Sequence, residues 1–257
     1  MRRFERLFCS DGKIVIVALD HGLGLPVLPA LNNTGELLKK VADGGADAVL
    51  TSFGVAQRYE REMRGMKLIL RLDGGSSMLP KNPSGSRLYT VEDAVRLGAD
   101  AVVCMGFPGA SNEKESLQNL AWYASEAQKW GIPLVAEMLP GGFEGTLPMS
   151  VDNIKWAARL GAESGAHVIK TAYAGSAEEY SAVVKGSFVP VVILGGAASK
   201  DLMGLVQVVE QAMESGVAGV AIGRNVWNNK SPEKVTRALV DLVHNGKKVK
   251  DILPLIE

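Results

Sequence analysis

The chain has 257 residues, of which 47% are hydrophobic and 22% charged, a composition that excludes a disordered or fibrous protein. Its 28 basic and 28 acidic residues give zero net charge, whereas proteins that coat nucleic acid or an anionic membrane usually carry a basic excess. Two cysteines, Cys9 and Cys104, are too few for a disulfide framework. We therefore expect a cytoplasmic protein with no nucleic-acid or membrane partner.

Eight short apolar runs, rich in β-branched residues, predict strands that are buried on both faces, as in a parallel sheet. These runs span 14–19, 46–50, 67–72, 99–104, 132–137, 166–170, 189–194 and 217–222. The segments between them show the apolar spacing of helices. The predicted helices span 36–43, 91–97, 114–130, 151–164, 202–215 and 232–244.

A short motif recurs where a predicted helix ends and a strand begins. Gly-Ala-Asp-Ala-Val occurs at 45–49 and at 98–102, and Gly-Ala-His-Val-Ile at 165–169 follows the same pattern. Strand then helix, eight times in about 250 residues, predicts an α/β fold, a (β/α)8 TIM barrel formed by one domain over 1–257. An open doubly wound sheet is the alternative, but it usually has only about five or six strands.

Active sites of TIM barrels lie at the carboxyl ends of the strands, so polar residues there are candidates. Lys170 ends the sixth predicted strand, where a buried ammonium is costly. It should therefore pair with an acid, or lose its proton and attack a carbonyl. The alternative is a lysine that extends to solvent. Asp20 and His21 follow the first strand and either move protons or anchor a loop, and Glu137 ends the fifth.

Glycines follow the last two predicted strands. Gly195 and Gly196 come after the seventh strand, and Gly223 with Arg224 comes after the eighth. Loops at these places in TIM barrels often bind phosphate through backbone amides, and glycine lets the backbone approach the anion closely. A glycine pair can also be simply a turn.

The remaining polar candidates are assigned by their place in the chain. Arg71, in the third predicted strand, and Tyr173, after the sixth, are expected in the substrate pocket together with the irregular stretch 82–89. The segment 73–76 is either a turn or a substrate loop. The motifs of nucleotide-binding loops and zinc sites do not occur, so we expect neither a metal nor a cofactor.

Four segments, at 17–22, 168–173, 191–196 and 221–227, resemble the archaeal-type class I fructose-bisphosphate aldolases. That family shares a superfamily with the deoxyribose-phosphate aldolases, an amino-dideoxy-heptulosonate synthase and a thiolase that processes phosphorylated autoinducer-2. The resemblance runs in order over nearly the whole chain. It implies a metal-independent carbon–carbon lyase, a phosphorylated sugar or ketone as substrate, and a homo-oligomer built as a pentamer-based ring or a decamer.

The resemblance also implies roles for individual residues. Lys170 is similar to the family's Schiff-base lysine, and Asp20 is similar to its strand-1 acid, which assists proton transfer. The residues that resemble its phosphate site are Gly195, Gly196, Gly223 and Arg224.

One position departs from the family's pattern. The aldolases carry a tyrosine after the fifth strand as the proton donor in carbon–carbon cleavage, and this chain has Leu139 there. Either Glu137, His21 or Tyr173 replaces it, or the reaction differs. We expect Glu137 to be the donor because it lies two residues earlier on the same strand face, where an apolar barrel mouth should raise its pKa.

The sequence therefore predicts a Schiff-base-forming class I aldolase that acts on a phosphorylated keto sugar. The first alternative is thiolase-like acyl transfer from a phosphorylated dicarbonyl to coenzyme A, since the autoinducer-2 thiolase also lacks that tyrosine. The second alternative is a protein that binds a sugar phosphate without catalysis.

Overall fold

Eight parallel strands form a closed barrel, and at least one helix follows each strand in the chain. The computed structural model describes residues 1–24, 28–74, 86–196 and 202–256. The eighth strand pairs with the first, which confirms the predicted (β/α)8 TIM barrel and makes the open-sheet alternative wrong. That 1–257 form one domain stays a prediction. The strands are β1 (Ile14–Ala18), β2 (Ala48–Thr51), β3 (Lys67–Arg71), β4 (Ala101–Gly106), β5 (Leu134–Met138), β6 (Val168–Thr171), β7 (Val191–Leu194) and β8 (Gly219–Ile222).

The helices of the described residues lie around this barrel. They are α1 (Arg2–Leu7), α2 (Thr34–Asp43), α3 (Phe53–Arg58), α4 (Val91–Arg96), α5 (Glu113–Trp130), α6 (Val151–Glu163), α7 (Ala177–Ser187), α8 (Leu202–Glu214), α9 (Arg224–Trp227), α10 (Pro232–Val243) and α11 (Val249–Ile256). The six helices predicted from apolar spacing are confirmed, with ends shifted by no more than two residues. Within the described ranges, no helix has the length and apolarity needed to cross a membrane.

The inside of the barrel is apolar at the amino-terminal end of the strands and charged at the carboxyl end. Small and branched side chains such as Ile69, Val103 and Val168 fill the apolar part, and Leu7 of α1 packs onto it. The next inward position on β6 beyond Val168 is Lys170, because side chains alternate along a strand. It is buried although it is charged. The barrel therefore supports a charged layer on an apolar one.

The recurring Gly-Ala-Asp motif has a structural role at the amino-terminal end. In each copy, the side chain that follows Gly-Ala accepts a hydrogen bond from a backbone N–H of the preceding strand. The three bonds are Val15 N to Asp47 Oδ2 (2.7 Å), Leu68 N to Asp100 Oδ2 (2.9 Å) and Leu134 N to His167 Nδ1 (3.1 Å). The motif thus gives an acceptor to the start of β1, β3 and β5, where a backbone donor without one costs about 1–3 kcal/mol.

A second polar cluster ties the end of α10 to the same end of the barrel. His244 lies between two carboxylates, with Nδ1 2.8 Å from Asp11 Oδ2 and Nε2 2.8 Å from Asp47 Oδ2. Cys9 Sγ donates to the other Asp47 oxygen, at 2.9 Å. Burial alone would lower the pKa of His244, but its hydrogen bonds to Asp11 and Asp47 outweigh burial and raise it.

Candidate active site

Lys170 lies at the carboxyl end of β6 and faces an acid on the neighbouring strand. The backbone register pairs Glu137 of β5 with Lys170, so the two side chains leave adjacent strands at the same height. Lys170 Nζ is 2.8 Å from Glu137 Oε1, and only 4% of Lys170 is exposed. The alternative of a lysine that extends to solvent is therefore wrong, and the predicted pairing with an acid is confirmed.

Glu137 is ionised rather than protonated, which contradicts the raised pKa expected from the sequence. Burial would raise the pKa of this carboxyl, but the charges of Lys170 and Arg71 and their hydrogen bonds outweigh burial and lower it to about 2. The sequence argument counted the apolar surroundings and omitted the two cations. Leu139, two residues further on, is buried as well, and its N–H donates to Gly106 O at 3.0 Å.

Arg71 occupies the centre of the charged layer and is almost completely buried, at 1% exposure. Its Nε donates to Asp20 Oδ2 at 2.8 Å, its Nη1 to Asp73 Oδ1 at 3.2 Å, and its Nη2 to Glu137 Oε2. The sequence left Asp73 open between a turn and a substrate loop and did not predict its contact with Arg71. Burial outweighs the nearby arginine and raises the pKa of Asp73.

The predicted acid–base pair after β1 is close to this cluster. His21 Nδ1 is 3.7 Å from Asp20 Oδ1, which is an ion-pair distance but not a hydrogen bond. The ring of His21 contacts Trp227 edge-on, with 5.4 Å between ring centroids. Burial lowers the pKa of His21 despite the carboxylate of Asp20, so this imidazole is neutral at neutral pH. Among the described residues, Nδ1 has no hydrogen-bond partner.

The loops that follow β7 and β8 are joined by side-chain hydrogen bonds. Arg224 Nη2 donates to Gly196 O at 2.9 Å, and Asn225 Nδ2 donates to Gly195 O at 2.8 Å. The structure therefore brings the four residues of the predicted phosphate site together at the carboxyl end of neighbouring strands. The segment 197–201, which continues the first loop, lies outside the described residues.

Glycine is required in these loops for two different reasons. A Cβ on Gly223 would lie 2.5 Å from Ala18 O and 2.7 Å from His21 Cε1, so a side chain does not fit there. Gly196 has open space around it, but its φ of +65° lies in the left-handed region that favours glycine. The chain therefore approaches β1 closely at one glycine and turns sharply at the other.

Tyr173 lies beside the first glycine loop. It lines a cavity of about 350 Å³ together with Gly195, Gly196 and Asn225, and apolar residues of α8 form the opposite wall. Its ring packs against Tyr180, at 4.7 Å between centroids, and burial raises the pKa of its hydroxyl. Tyr173 is thus placed next to the predicted phosphate loop.

The predicted pocket stretch 82–89 is described only in part, because 75–85 lie outside the described residues. Ser86–Arg87 pairs with Asp73–Gly74 as a short antiparallel ribbon, so 73–74 belong to a strand. Tyr89 then stacks on Phe53, with 4.5 Å between ring centroids.

The barrel carries a buried lysine–carboxylate pair at its carboxyl end, next to two joined glycine loops. This arrangement is typical of TIM-barrel enzymes that react through a lysine amine. A family model described as the DeoC/LacD family aldolase matches residues 14–229. The chain belongs to this family. This confirms the predicted class of enzyme, a class I aldolase, which is a carbon–carbon lyase.

Individual relatives agree with this family. The chain is 36% identical to the 2-amino-3,7-dideoxy-D-threo-hept-6-ulosonate synthase of Halobacterium salinarum, over 92% of this chain and 88% of that protein. It is 33% identical to the class 1 fructose-bisphosphate aldolase of Thermoproteus tenax, over 98% and 97%. A similar solved structure is an archaeal fructose-1,6-bisphosphate aldolase with its catalytic lysine covalently bound to the carbinolamine intermediate. It has a TM-score of 0.86 and 32% identity, and covers 94% of this chain and 98% of that one.

Proposed function

We propose that Lys170 forms a Schiff base with the carbonyl of a phosphorylated keto sugar and that the resulting iminium drives cleavage or formation of a carbon–carbon bond. The observation that carries this proposal is the burial of Lys170 at the carboxyl end of β6, within 2.8 Å of Glu137. The solved relative whose lysine carries a carbinolamine supports the same chemistry.

In the proposed reaction, the ammonium of Lys170 gives its proton to a base, and the free amine adds to the carbonyl carbon. The carbinolamine takes that proton back and loses water to give the iminium. The electrons of the breaking carbon–carbon bond move into the iminium and give an enamine, while a base accepts the proton of the substrate hydroxyl. Glu137 faces the nitrogen that is cationic in the iminium, and its ionised carboxylate would stabilise that charge.

The proton of the substrate hydroxyl is assigned to the pair after β1. Because Lys170 and Arg71 lower the pKa of Glu137 to about 2, Glu137 is a poor proton donor and a weak base near neutral pH. The neutral imidazole of His21, which lies 3.7 Å from Asp20 Oδ1, is better suited to accept and return a proton. We therefore transfer to this pair the role that the sequence reasoning gave to Glu137.

The substrate class rests on the fructose-bisphosphate aldolase among the relatives and on the joined glycine loops. Gly195, Gly196 and Gly223 would donate backbone N–H groups to the phosphate, and Arg224 would add positive charge. A dephosphorylated substrate that reacts as well as its phosphate would contradict this part of the proposal.

The test is reductive trapping. The protein is incubated with dihydroxyacetone phosphate or fructose 1,6-bisphosphate and sodium borohydride, and the modified peptide is identified by mass spectrometry. We expect the adduct on Lys170, its loss in Lys170→Met, and its retention in Lys185→Met, which removes an exposed lysine on α7. An adduct on another lysine would contradict the assignment.

The thiolase-like alternative is tested as well, because Leu139 cannot donate the proton that the aldolase tyrosine supplies. Coenzyme A and a phosphorylated dicarbonyl would then yield an acyl-CoA, and His21→Asn would abolish that product. Binding of the sugar phosphate without trapping or turnover would favour the non-catalytic alternative.

We also infer a cytoplasmic homo-oligomer from the resemblance to the aldolases. Trp156 and Phe143, which are 73% and 69% exposed, are two of the large apolar side chains available for such contacts. Sedimentation velocity over a range of protein concentrations tests this inference, and a monomer throughout would contradict it.

A further inference from the structure

The guanidinium of Arg71 stands where TIM barrels usually carry a branched aliphatic side chain. Its three nitrogen atoms each donate to a different carboxylate, on Asp20, Asp73 and Glu137. These acids belong to the ends of β1, β3 and β5, so one side chain connects three strands across the barrel. A guanidinium is planar and its donors have fixed directions, so it can fix the three carboxylates in one relative arrangement.

Asp73 anchors this arrangement to the backbone. One of its oxygens accepts from Arg71 Nη1, and the other accepts from the N–H of Met105 in β4, at 2.7 Å. Leu72, between the arginine and the aspartate, is held by a hydrogen bond from Tyr123 Oη to its carbonyl, at 2.9 Å. Asp73 is buried, so these bonds hold the guanidinium at a defined depth inside the barrel.

The arginine also determines which oxygen of each acid is available to the reacting groups. Nη2 donates to Oε2 of Glu137, and the other oxygen, Oε1, lies 2.8 Å from Lys170 Nζ. Nε donates to Oδ2 of Asp20, and the other oxygen, Oδ1, lies 3.7 Å from His21 Nδ1. Each acid therefore uses one oxygen for Arg71 and turns the other towards a residue of the proposed reaction.

We propose that Arg71, anchored by Asp73, is a positioning residue that aims Glu137 at Lys170 and Asp20 at His21 without touching the substrate. This inference rests on the proposed Schiff-base function. It replaces the expectation that Arg71 contacts the substrate, because an arginine that is 1% exposed and bonded to three carboxylates lies beneath the reacting groups.

The test is Arg71→Lys, which keeps the charge but replaces three nitrogen donors by one. The rate of borohydride trapping is measured against the concentration of dihydroxyacetone phosphate, giving a maximal rate and a half-saturating concentration. We expect the maximal rate to fall by about 10²-fold, the scale of an effect from misplaced groups, and the half-saturating concentration to stay the same. Arg159→Lys, an exposed arginine paired with Glu163, should trap at the wild-type rate.

The pH dependence of trapping is a second measurement, which would not change if Arg71 only stabilised the fold. Arg71→Lys removes the arginine hydrogen bond that helps to lower the pKa of Glu137, so that pKa should rise. When the medium is acidified, trapping should therefore be lost at a higher pH in the variant than in the wild type. Asp73→Asn, which keeps Arg71 but removes the charge of its anchor and one of the two acceptor oxygens, should slow trapping in the same direction. It provides a second variant if Arg71→Lys does not fold.

The possible failures are distinguishable. A wild type that gives no adduct refutes the proposed function and, with it, this inference. A wild type that traps normally, with an Arg71→Lys variant that changes only the half-saturating concentration, means that Arg71 binds the substrate and refutes the inference alone. Unchanged trapping in both Arg71→Lys and Asp73→Asn also refutes it.

Discussion

Replacement of Glu137 by glutamine tests the charged layer most directly, because it keeps the shape and removes one negative charge between two cations. The pKa of Glu137 is lowered from an ordinary 4.5 to about 2, and one pKa unit corresponds to about 1.4 kcal/mol. The ionised carboxylate therefore contributes about 3 kcal/mol to the free energy of unfolding. This value agrees with the cost of about 3–5 kcal/mol for breaking a buried ion pair by removing one partner.

A loss of about 3 kcal/mol should lower the melting temperature of a chain of this size by about 6–12 °C. The direction in which this stability changes with pH follows from the pKa of Glu137, which is lower in the folded state than its ordinary value. The contribution is present above about pH 4.5 and is lost as the pH falls through 2, so the difference between Glu137→Gln and the wild type should disappear in acid. Calorimetric melting at several pH values measures it.

Glu163→Gln is the matched control, because it makes the same chemical change in an exposed pair with Arg159, where an ion pair contributes about 0–1 kcal/mol. Turnover of Glu137→Gln should fall by about 10²-fold or more because the iminium loses its facing carboxylate, and trapping on Lys170 should slow as well because Lys170 loses its ion-pair partner. Melting and turnover that match those of the control would refute the reasoning.

Two further predictions concern the amino-terminal end of the barrel. His244→Gln should lower the melting temperature most below about pH 6.5. Since Asp11 and Asp47 raise the pKa of His244 in the folded state, its contribution is lost as the pH rises through that raised value; a difference that grows with pH would contradict this. Asp100→Ala leaves Leu68 N without its acceptor and should cost about 1–3 kcal/mol in urea unfolding, with trapping on the lysine unaffected; no loss of stability would show that the motif has no such role.

The sequence was sufficient to predict the barrel and most of the site for one physical reason. In a closed parallel sheet, the carboxyl ends of all strands meet, so Lys170, Glu137 and Asp20 had to converge although they are far apart in the chain. The helices that were not predicted were mostly short, such as α9 with four residues, where no period can be read. The exception is α7, which has 11 residues and whose capping box of Ser176 and Glu179 was a readable signal.

The direction of the pKa shift of Glu137 could not be predicted in the same way. It depends on which neighbouring side chains point inward at the same height, and a one-residue change of register would turn Arg71 or Lys170 to the outside of the barrel. Asp73 was hidden for a related reason, because its function as an anchor depends on the hydrogen bond from Met105 in another strand.

The charge balance of the layer suits a nitrogen that is positive in both the resting ammonium and the iminium of the proposed reaction. Three carboxylates, on Asp20, Asp73 and Glu137, face two cations, Arg71 and Lys170. The iminium places its charge on the nitrogen that carries it in the ammonium, so the ion pair with Glu137 would form again after the neutral amine and carbinolamine stages without rearrangement of the surrounding dipoles. A tyrosine donor at 139 is therefore not needed for this stabilisation, and its absence affects only the transfer of the substrate proton, the step that we propose for the pair after β1.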